Sequence, residues 1–594
     1  VVTGSILIAA GHSALAEPNP LRDAYFGETH MHTGLSLDAY IGGTRLMPGD
    51  ALRYAKGEAV TLPDGSVVQH RRPLDFAAVT DHAEYIGEMY STIFEDAPGH
   101  DNEDLLTLRE MTDIEDRQHW FFKYVVSSNR SASPKHPPFY AGPGTTKSAW
   151  QVIVNAAEAH NDPGNFTALI GFEWSAAPGG ANLHRNVIFR DADVPDIVPS
   201  YIEINEEENL WKWMGEQEAQ GRHALAIPHN SNASKGRMFP DTDSFGNPVD
   251  LDYARTRQHF EPLIEMMQVK GNSEVHRKFW AADEFADFEN ADSIQKNSGR
   301  TYHRRDFVRG GLERGIAKKA ALGVNPFKYG FTGGTDNHNG LMSAVAEDAF
   351  EGAHGPEDGT VERRRTGDVL GWIDGKDLSI GALAGVWATE NSRAAIWDAM
   401  KRRETFATSG PRIKVRMFGG VGLSEPADPV AMAEEGYVLG TPMGGDLPST
   451  GTAPTFTVYA EKDPDGANLD RIQIIKGWVD LNGDVNEKIV DVVWSGDRKI
   501  DRRTGKLPPV GNTVDVSKAK FANDIGAPVL MSAWTDEDFD PQDHAFYYTR
   551  AFEIPTPRWS TYDAVRSSRP LLDAVPATIQ ERAWGSPIWY APAQ

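Results

Sequence analysis

Short apolar runs recur along the first 400 residues, and polar clusters follow most of them. The runs cover 75–80, 166–172, 223–228, 263–269 and 329–334. Apolar runs of this length between polar clusters are typical of buried strands. The stretches 148–160 and 206–220 predict helices, and the second is acidic in its first turn, as the helix dipole favours. Strands that alternate with helices predict an α/β core with a parallel sheet, whose chemistry gathers at the carboxyl ends of the strands.

The pattern changes after residue 410. The stretches 455–460, 471–479, 488–494 and 545–554 are β-rich and separated by Gly, Pro and Asp, which predicts a β-sandwich-like domain over 411–557. A helix from about Asn391 to Glu404, capped by Asn391 or Ser392, closes a first domain over 17–410. Long insertions at about 86–147 and 231–325 are expected to shape or cover a pocket. An aromatic tail over 558–594 is expected to pack on the body.

The first residues indicate the cellular compartment of the protein. Residues 1–16 contain an apolar stretch that ends in Ala14-Leu15-Ala16, a small-x-small pattern typical of signal-peptide cleavage. We interpret them as a signal-peptide remnant rather than a short frayed terminus, which predicts a periplasmic or secreted protein. Elsewhere no apolar run approaches the roughly 20 residues that a membrane-spanning helix needs, so no membrane span is expected.

Composition narrows the possible chemistry. The 594 residues carry 85 acidic and 59 basic side chains, a formal net charge of −26, which argues against a nucleic-acid-binding surface. There are no cysteines, so disulfides, thiolate catalysis and thiolate metal sites are excluded. A metal would have to be held by His, Asp and Glu, which favours Zn, Mn or Fe.

Histidines and carboxylates follow the predicted strands. His30 and His32 come after an apolar strand, and residues two apart in a strand point to the same side, so both imidazoles can reach one ion. Carboxylates can bridge two ions, and neutral imidazoles bind them without adding charge. Two or three divalent ions are therefore expected among these side chains and those that follow later strands: Asp81, His82, Glu173, His184, His229, Asp336 and His338.

The order of these motifs resembles the PHP superfamily, named for polymerase and histidinol phosphatase domains. The matching motifs are His30/His32, Thr80-Asp81-His82, Gly171-Phe172-Glu173, His184, His229 and Asp336/His338. Beyond this core, the ranges 387–393, 407–412 and 581–589 resemble a large bacterial family of exported PHP-like proteins. The resemblance implies a distorted (β/α)7 barrel with long insertions, a trinuclear metal site and hydrolysis of phosphate esters.

The resemblance also implies a set of metal ligands. One ion would take His30, His32, Glu173 and Asp336. A second would share Glu173 and take His184 and His229, and a third would take His82 and His338. Asp38 stands where the superfamily often has a histidine, and it can bind the third ion while adding negative charge. Asp81 is either a further ligand or a partner that orients an imidazole.

The charge of the ions suggests a mechanism. We expect a metal-bridged hydroxide as the nucleophile, with the ions offsetting charge in the transition state and Asp336 and His338 at the catalytic centre. Arg185, directly after His184, is expected to position an anionic substrate. Further candidates, each equally interpretable as a structural residue, are Arg45, Lys235 and Arg237 as cations and Asn230, Asn232 and Asn337 as hydrogen-bond donors.

The preferred hypothesis is a multinuclear metal hydrolase that acts on a small or polymeric phosphomonoester or phosphodiester. One alternative is an amidohydrolase-like enzyme that hydrolyses another ester or amide, although the chain has no clear carbamylated-lysine motif. The other is a binding protein that retains metals without turnover. The sequence assigns neither the substrate nor the oligomeric state.

Overall fold

The computed structural model describes residues 17–131, 133–296 and 299–593, so the proposed signal-peptide remnant lies outside the described residues. The α-helices are α1 Leu37–Ile41, α2 Pro48–Ala55, α3 Ile86–Ile93, α4 Glu103–Glu110, α5 Ile114–Phe121, α6 Ser127–Asn129, α7 Pro143–His160, α8 Glu207–Glu218, α9 Leu251–Phe260, α10 Val308–Leu322, α11 Val361–Thr366, α12 Arg393–Lys401, α13 Pro429–Leu439 and α14 Trp559–Arg566. The strands of the first region are β1 Asp23–Glu28, β2 Val60–Thr61, β3 Val67–Val68, β4 Phe76–Val79, β5 Thr167–Ala176, β6 Leu183–Phe189, β7 Ala224–Pro228, β8 Leu263–Glu265, β9 Met267–Gln268, β10 Gly271–Asn272, β11 Gly330–Thr332, β12 Asp368–Val369, β13 Ile373–Asp374, β14 Leu383–Ala388 and β15 Thr405–Thr408. Those of the C-terminal region are β16 Lys414–Gly420, β17 Thr441–Pro442, β18 Thr455–Glu461, β19 Leu469–Val479, β20 Val485–Trp494, β21 Val529–Thr535, β22 His544–Glu553, β23 Thr556–Pro557, β24 Thr578–Ile579 and β25 Arg582–Tyr590.

A large mixed sheet dominates this α/β protein. Its eleven strands run in the order β20-β19-β22-β25-β15-β14-β1-β4-β5-β6-β7. Only the β1–β4 and β4–β5 pairs of this sheet are parallel, so the expectation of a parallel sheet was wrong for most of it. The short connection between β5 and β6 makes them a hairpin, which can pair only in the antiparallel sense.

Two further strands, β8 and β11, lie beside the large sheet. β8 and β11 pair in parallel outside the large sheet, with β8 beside β7 and β11 beside β15 and β25. Beyond the ends of β1 and β11, Met31 and Asn337 form an isolated parallel β-bridge. Beyond the end of β4, His82 forms another with Glu173 of β5. The carboxyl ends of several strands therefore meet in one place, where parallel strand ends commonly gather functional residues.

The C-terminal region shares the large sheet. β19, β20, β22 and β25 extend it, while β16, β17, β18 and β21 form a separate four-stranded sheet. β25, from the aromatic tail, pairs with both β15 and β22 and so lies between the two regions. One apolar core contains Phe26 of β1 together with Val415 and Val458 of the four-stranded sheet.

The predicted insertions contain ordered elements. Residues 86–147 include α3 to α6 and a π-helix at Phe122–Val126. Residues 231–325 include α9, α10 and the buried strand β8, so part of this stretch belongs to the core. The predicted helix near residue 391 is confirmed as α12, and the Ser392 side chain caps it by accepting from the Ala395 amide. No helix among the described residues is both long and apolar enough to cross a bilayer.

Candidate metal centre

Two histidines and two carboxylates converge beyond the end of β1. Nε2 of His30 lies 3.4 Å from Oε2 of Glu173 and 3.4 Å from Oδ1 of Asp336. Nε2 of His32 lies 3.1 Å and 3.3 Å from the same two oxygens. All four side chains are buried. The structure thus brings together the ligand set expected for the first ion.

The donor atoms of this group fit a cation. Nε2 of His30, Nε2 of His32 and Oε2 of Glu173 are buried without a hydrogen-bond partner among the described residues. Buried polar atoms are rarely left without partners, because desolvation is costly. A divalent ion bound by these nitrogens and oxygens would satisfy them, and the mixture of imidazole and carboxylate suits Zn, Mn or Fe.

The second oxygen of Glu173 faces another pair of histidines. Its Oε1 lies 2.6 Å from Nδ1 of His184 and 3.2 Å from Nε2 of His229. His184 stands on β6 and His229 follows β7, so three neighbouring strands supply this group. Because each oxygen of Glu173 meets different histidines, the carboxylate is placed to bridge two ions.

Asp38 joins the two remaining histidines. Its Oδ2 lies 3.1 Å from Nε2 of His82 and 3.1 Å from Nε2 of His338. Nδ1 of His338 lies 2.8 Å from the backbone oxygen of Asp336, so Nε2 is the nitrogen that faces Asp38 and would bind an ion. His32, His82 and His338 also offer ring nitrogens within 4.8 Å of one another, so a third ion has potential ligands here.

Asp81 does not face the ligand atoms. Its carboxylate accepts hydrogen bonds from the Thr33 backbone amide and hydroxyl and from the Ser36 hydroxyl at 2.7 Å. Oγ of Ser36 in turn lies 2.8 Å from Nδ1 of His32. Of the two roles left open by the sequence, the contacts favour the one in which Asp81 orients the His32 imidazole, here through Ser36.

Sequence reasoning missed three supporting residues. Glu265, at the end of β8, places Oε2 2.8 Å from Nδ1 of His30. The Glu28 carboxylate accepts hydrogen bonds from the backbone amides of His30 and Thr335, and so holds the segment of His30 next to that of Asp336. Ser175 hydroxyl lies 2.5 Å from Nδ1 of His82 and 3.0 Å from Glu173. The only signal was position, since Glu28, Glu265 and Ser175 lie at or near strand ends.

Lys270 is the cation that lies at the site. Its ammonium donates to Oδ2 of Asp336, and the Gln268 amide donates to the same oxygen at 2.5 Å. The Lys270 side chain is 11% exposed and lines the cavity beside the ligands. It follows the predicted strand 263–269, but a lysine in a long loop gave no signal of its role.

Arg185 is not brought to the ligands. It lies next to His184 on β6, so its side chain points to the opposite face of the strand. There it is fully buried and paired with Glu207 and Glu261, and Nη1 donates to the Leu183 backbone oxygen. The anion-positioning role expected for Arg185 is therefore replaced by a structural one.

Arg45 and the three asparagines near the motifs also serve structural roles. Arg45 donates to the backbone oxygens of Tyr40 and Thr44 and stacks on the Tyr40 ring. The Asn230 side-chain amide donates to Oδ1 of Asn232. The Asn232 amide donates to the Lys270 backbone oxygen, and the Asn337 amide donates to the Leu341 backbone oxygen.

Some residues near the site have a strained backbone. Tyr85, Asn230, Lys235 and Asp336 all have left-handed conformations, with φ of 64°, 52°, 53° and 57°. Such conformations cost energy in residues other than glycine and persist where surrounding contacts hold them. At Asp336 the strained backbone presents the carboxylate to both His30 and His32.

The charges of the site depend strongly on its burial. Burial opposes protonation of His30, but Asp336 and Glu265 outweigh it and hold its pKa well above the usual value. Burial lowers the pKa of His184 to about 4 and that of His338 to about 3, which favours the neutral, ligating form. Burial also opposes ionisation of Glu173, yet the neighbouring histidines hold its pKa well below the usual value.

A cavity of about 210 Å³ opens beside the ligands. Five of the candidate ligands line it: Asp38, His82, His184, Asp336 and His338. Its wall also includes apolar side chains from the end of α5, from the π-helix and from the segment after β12: Phe121, Phe122, Val125, Val126, Leu370 and Trp372. A small molecule can therefore approach the ligand cluster along an apolar wall.

Comparison with known proteins gives a family but no activity. Residues 19–592 match the family model described as "Protein of unknown function (DUF3604)". No curated protein matches the chain. A solved structure of a two-domain protein containing a predicted PHP-like metal-dependent phosphoesterase from Bacteroides vulgatus ATCC 8482 is 12% identical. The alignment covers 89% of this chain and 99% of that one, with a TM-score of 0.29.

Proposed function

The chain belongs to the DUF3604 family, and we propose that it is a metal-dependent hydrolase of phosphate esters with two or three divalent cations. The observation that supports this most is the position of Glu173, whose two oxygens each face a different group of histidines. A bridging carboxylate between histidine groups is typical of sites that hold adjacent ions. Monoesters and diesters are both within the proposal.

The residues that would hold the ions fall into three groups. Expected ligands are His30, His32, Glu173 and Asp336 for the first ion, Glu173, His184 and His229 for the second, and Asp38, His82 and His338 for the third. The distorted (β/α)7 barrel with a C-terminal β-sandwich-like region is likewise part of the proposal. In it β1, β4, β5, β6, β7, β8 and β11 would enclose the site.

Each supporting residue has a distinct task. Divalent ions, when bound, supply Lewis acidity and activate water for attack on an ester. Glu265 and Asp81 hold the His30 and His32 rings in place, the second through Ser36. Lys270, which donates to Asp336, also lines the cavity and would offer positive charge to an anionic ester oxygen there.

The test is turnover by protein reconstituted with Mn²⁺ or Zn²⁺. Hydrolysis of 4-nitrophenyl phosphate or bis(4-nitrophenyl) phosphate that a chelator abolishes is the expected result. His30→Ala and Asp336→Ala should remove it while the circular dichroism spectrum stays unchanged. Full turnover by the metal-depleted protein would contradict the proposal. Bound metal without phosphoester turnover would instead favour another ester, an amide or a binding role.

We also propose that the protein works outside the cytoplasm. The support is the apolar stretch that ends in Ala14-Leu15-Ala16. Fractionation of cells that express the full-length gene product should recover the mature protein from the periplasm or medium, beginning near Glu17. Recovery of the uncleaved chain in the cytoplasm would refute this part of the proposal.

A further inference from the structure

Three cations surround the turn between β5 and β6. This turn, Pro178–Gly180, is approached by Arg130 from the first insertion and by Lys235 and Arg237 from the loop after His229. A β-carbon on Gly180 would lie 3.4 Å from Nζ of Lys235 and 3.6 Å from Nε of Arg130. We call Arg130, Lys235 and Arg237 the outer cation cluster.

The outer cation cluster has no acidic partner. Across residues 17–131, 133–296 and 299–593, none of its side chains forms an ion pair with a carboxylate. Lys235 donates to the Gly179 backbone oxygen at 3.1 Å and Arg237 to that of Pro178 at 3.1 Å, so the turn itself positions them. Acidic side chains outnumber basic ones by 85 to 59 in the chain, which makes a local excess of positive charge unusual.

The three charges also repel one another. Partial burial lowers the pKa of Lys235, and the neighbouring Arg130 and Arg237 lower it further. Burial similarly lowers the pKa of Arg130. An anion at this place would relieve the repulsion, and guanidinium groups suit oxyanions because they donate two parallel hydrogen bonds.

One member of the outer cation cluster, Arg130, reaches the cavity beside the metal centre, and Lys235 and Arg237 lie behind it on the Pro178–Gly180 turn. Arg130 and Gly180 line the same cavity as His82, His184 and Asp336. The cavity is also lined by apolar side chains, among them Phe121, Phe122, Val126, Leu370 and Trp372. One cavity therefore adjoins the candidate metal ligands, a group of apolar side chains and a cation of the outer cluster.

We propose that the outer cation cluster binds a second anionic group of the substrate. The substrate class is then an ester with its reacting phosphate at the metal centre, an apolar segment along the cavity wall, and a carboxylate or second phosphate at Arg130, Lys235 and Arg237. The placement of the reacting end rests on the proposed function. Anion binding at the cluster does not depend on the reaction at the metal centre.

The experiment uses non-hydrolysable probes on the full-length protein reconstituted with Mn²⁺. Isothermal titration calorimetry would compare each linear alkylphosphonate of four to eight carbons with the ω-carboxyalkylphosphonate of the same length. For at least one length, the added carboxylate should tighten binding about tenfold, as expected for a charge-assisted contact. The double variant Arg130→Gln, Lys235→Gln should abolish that advantage while binding the simple alkylphosphonate as wild type does.

Two further variants control the result. Arg130→Lys keeps the charge and should retain part of the advantage. Lys499→Gln removes an exposed lysine of the C-terminal region and should leave the advantage unchanged. The proposal is overturned if the carboxylate gives no advantage at any length, or if the advantage persists in the double variant.

Failure of the inference can be told apart from failure of the proposed function. Hydrolysis of 4-nitrophenyl phosphate without any carboxylate advantage would remove the outer site and leave the hydrolase intact. A carboxylate advantage without hydrolysis of any phosphoester would retain the outer site and remove the hydrolase.

Discussion

The contact between Glu265 and His30 gives the sharpest prediction about the metal centre. Glu265→Gln keeps a similar shape and an oxygen that can accept from Nδ1 of His30, but it removes the negative charge. The two atoms are 2.8 Å apart in wild type, and both side chains are almost completely buried. A hydrogen bond to a charged group contributes about 1.5–3 kcal/mol, whereas a neutral one contributes about 0.5–1.5 kcal/mol. The midpoints of these ranges differ by about 1.3 kcal/mol, which predicts roughly an eightfold weaker affinity for the tightest-bound ion.

Competition with a chelator of known affinity measures this effect directly. Glu218→Gln is a matched control, because Oε2 of Glu218 lies 2.8 Å from Nε2 of His259 in a partly exposed pair away from the site. The control should bind metal as wild type does. Unchanged affinity in Glu265→Gln would refute the argument that the buried carboxylate orients His30 and raises its basicity. Loss as large as that of His30→Ala would refute the claim that Glu265 acts only through the ring.

Further predictions concern the third ion, the buried arginine and the pH dependence of stability. Asp38→Ala should lower the metal content by about one equivalent per chain and leave the other ions bound, as elemental analysis would show. Arg185→Ala should destabilise the fold by about 3–5 kcal/mol in a denaturant titration, because it leaves two buried carboxylates without their partner. Burial raises the pKa of Glu581 to about 8, so its contribution to stability is complete below the unfolded value of 4.5 and is lost as pH rises through 8. The melting temperature of wild type should therefore fall between pH 5 and pH 8. Glu581→Gln should reduce this fall by an amount equivalent to about 1–3 kcal/mol of unfolding free energy, and an unchanged fall would contradict that account.

The gathering of the candidate ligands was predictable because each motif combines a strand with the residues that follow it, while their division among ions came from the resemblance to the PHP superfamily. His30 and His32 share a side for reasons of strand geometry alone, and the later motifs repeat the same logic at neighbouring strand ends. The elements themselves were also readable from the hydrophobic pattern, as β4, β7, α8 and α12 illustrate.

Long-range partners were not predictable in the same way. Glu265 reaches His30 across 235 residues of sequence, and no local pattern marks such a pair. The anion-positioning role predicted for Arg185 was wrong, because a residue next to His184 in the strand points to the opposite face of the sheet. The division into two regions was obscured by β25, a strand from the very end of the chain that pairs with β15 of the first region.

Strand direction was the other limit. Apolar runs separated by helices favour parallel pairing, but the direction depends on the connection, and a short turn such as that between β5 and β6 forces a hairpin. That same hairpin carries Glu173 and His184 on paired strands and positions the outer cation cluster around its turn.

The most direct test of the central claim is the metal content of the purified full-length protein. After reconstitution with Mn²⁺ or Zn²⁺ and removal of free metal, elemental mass spectrometry should give two or three equivalents per chain. The variant His30→Ala, Glu173→Gln should retain no more than one, because it removes ligands of the first and second ions only. A wild-type protein that binds less than one equivalent, or a double variant that binds as much as wild type, would contradict the assignment of these residues as a multinuclear metal centre.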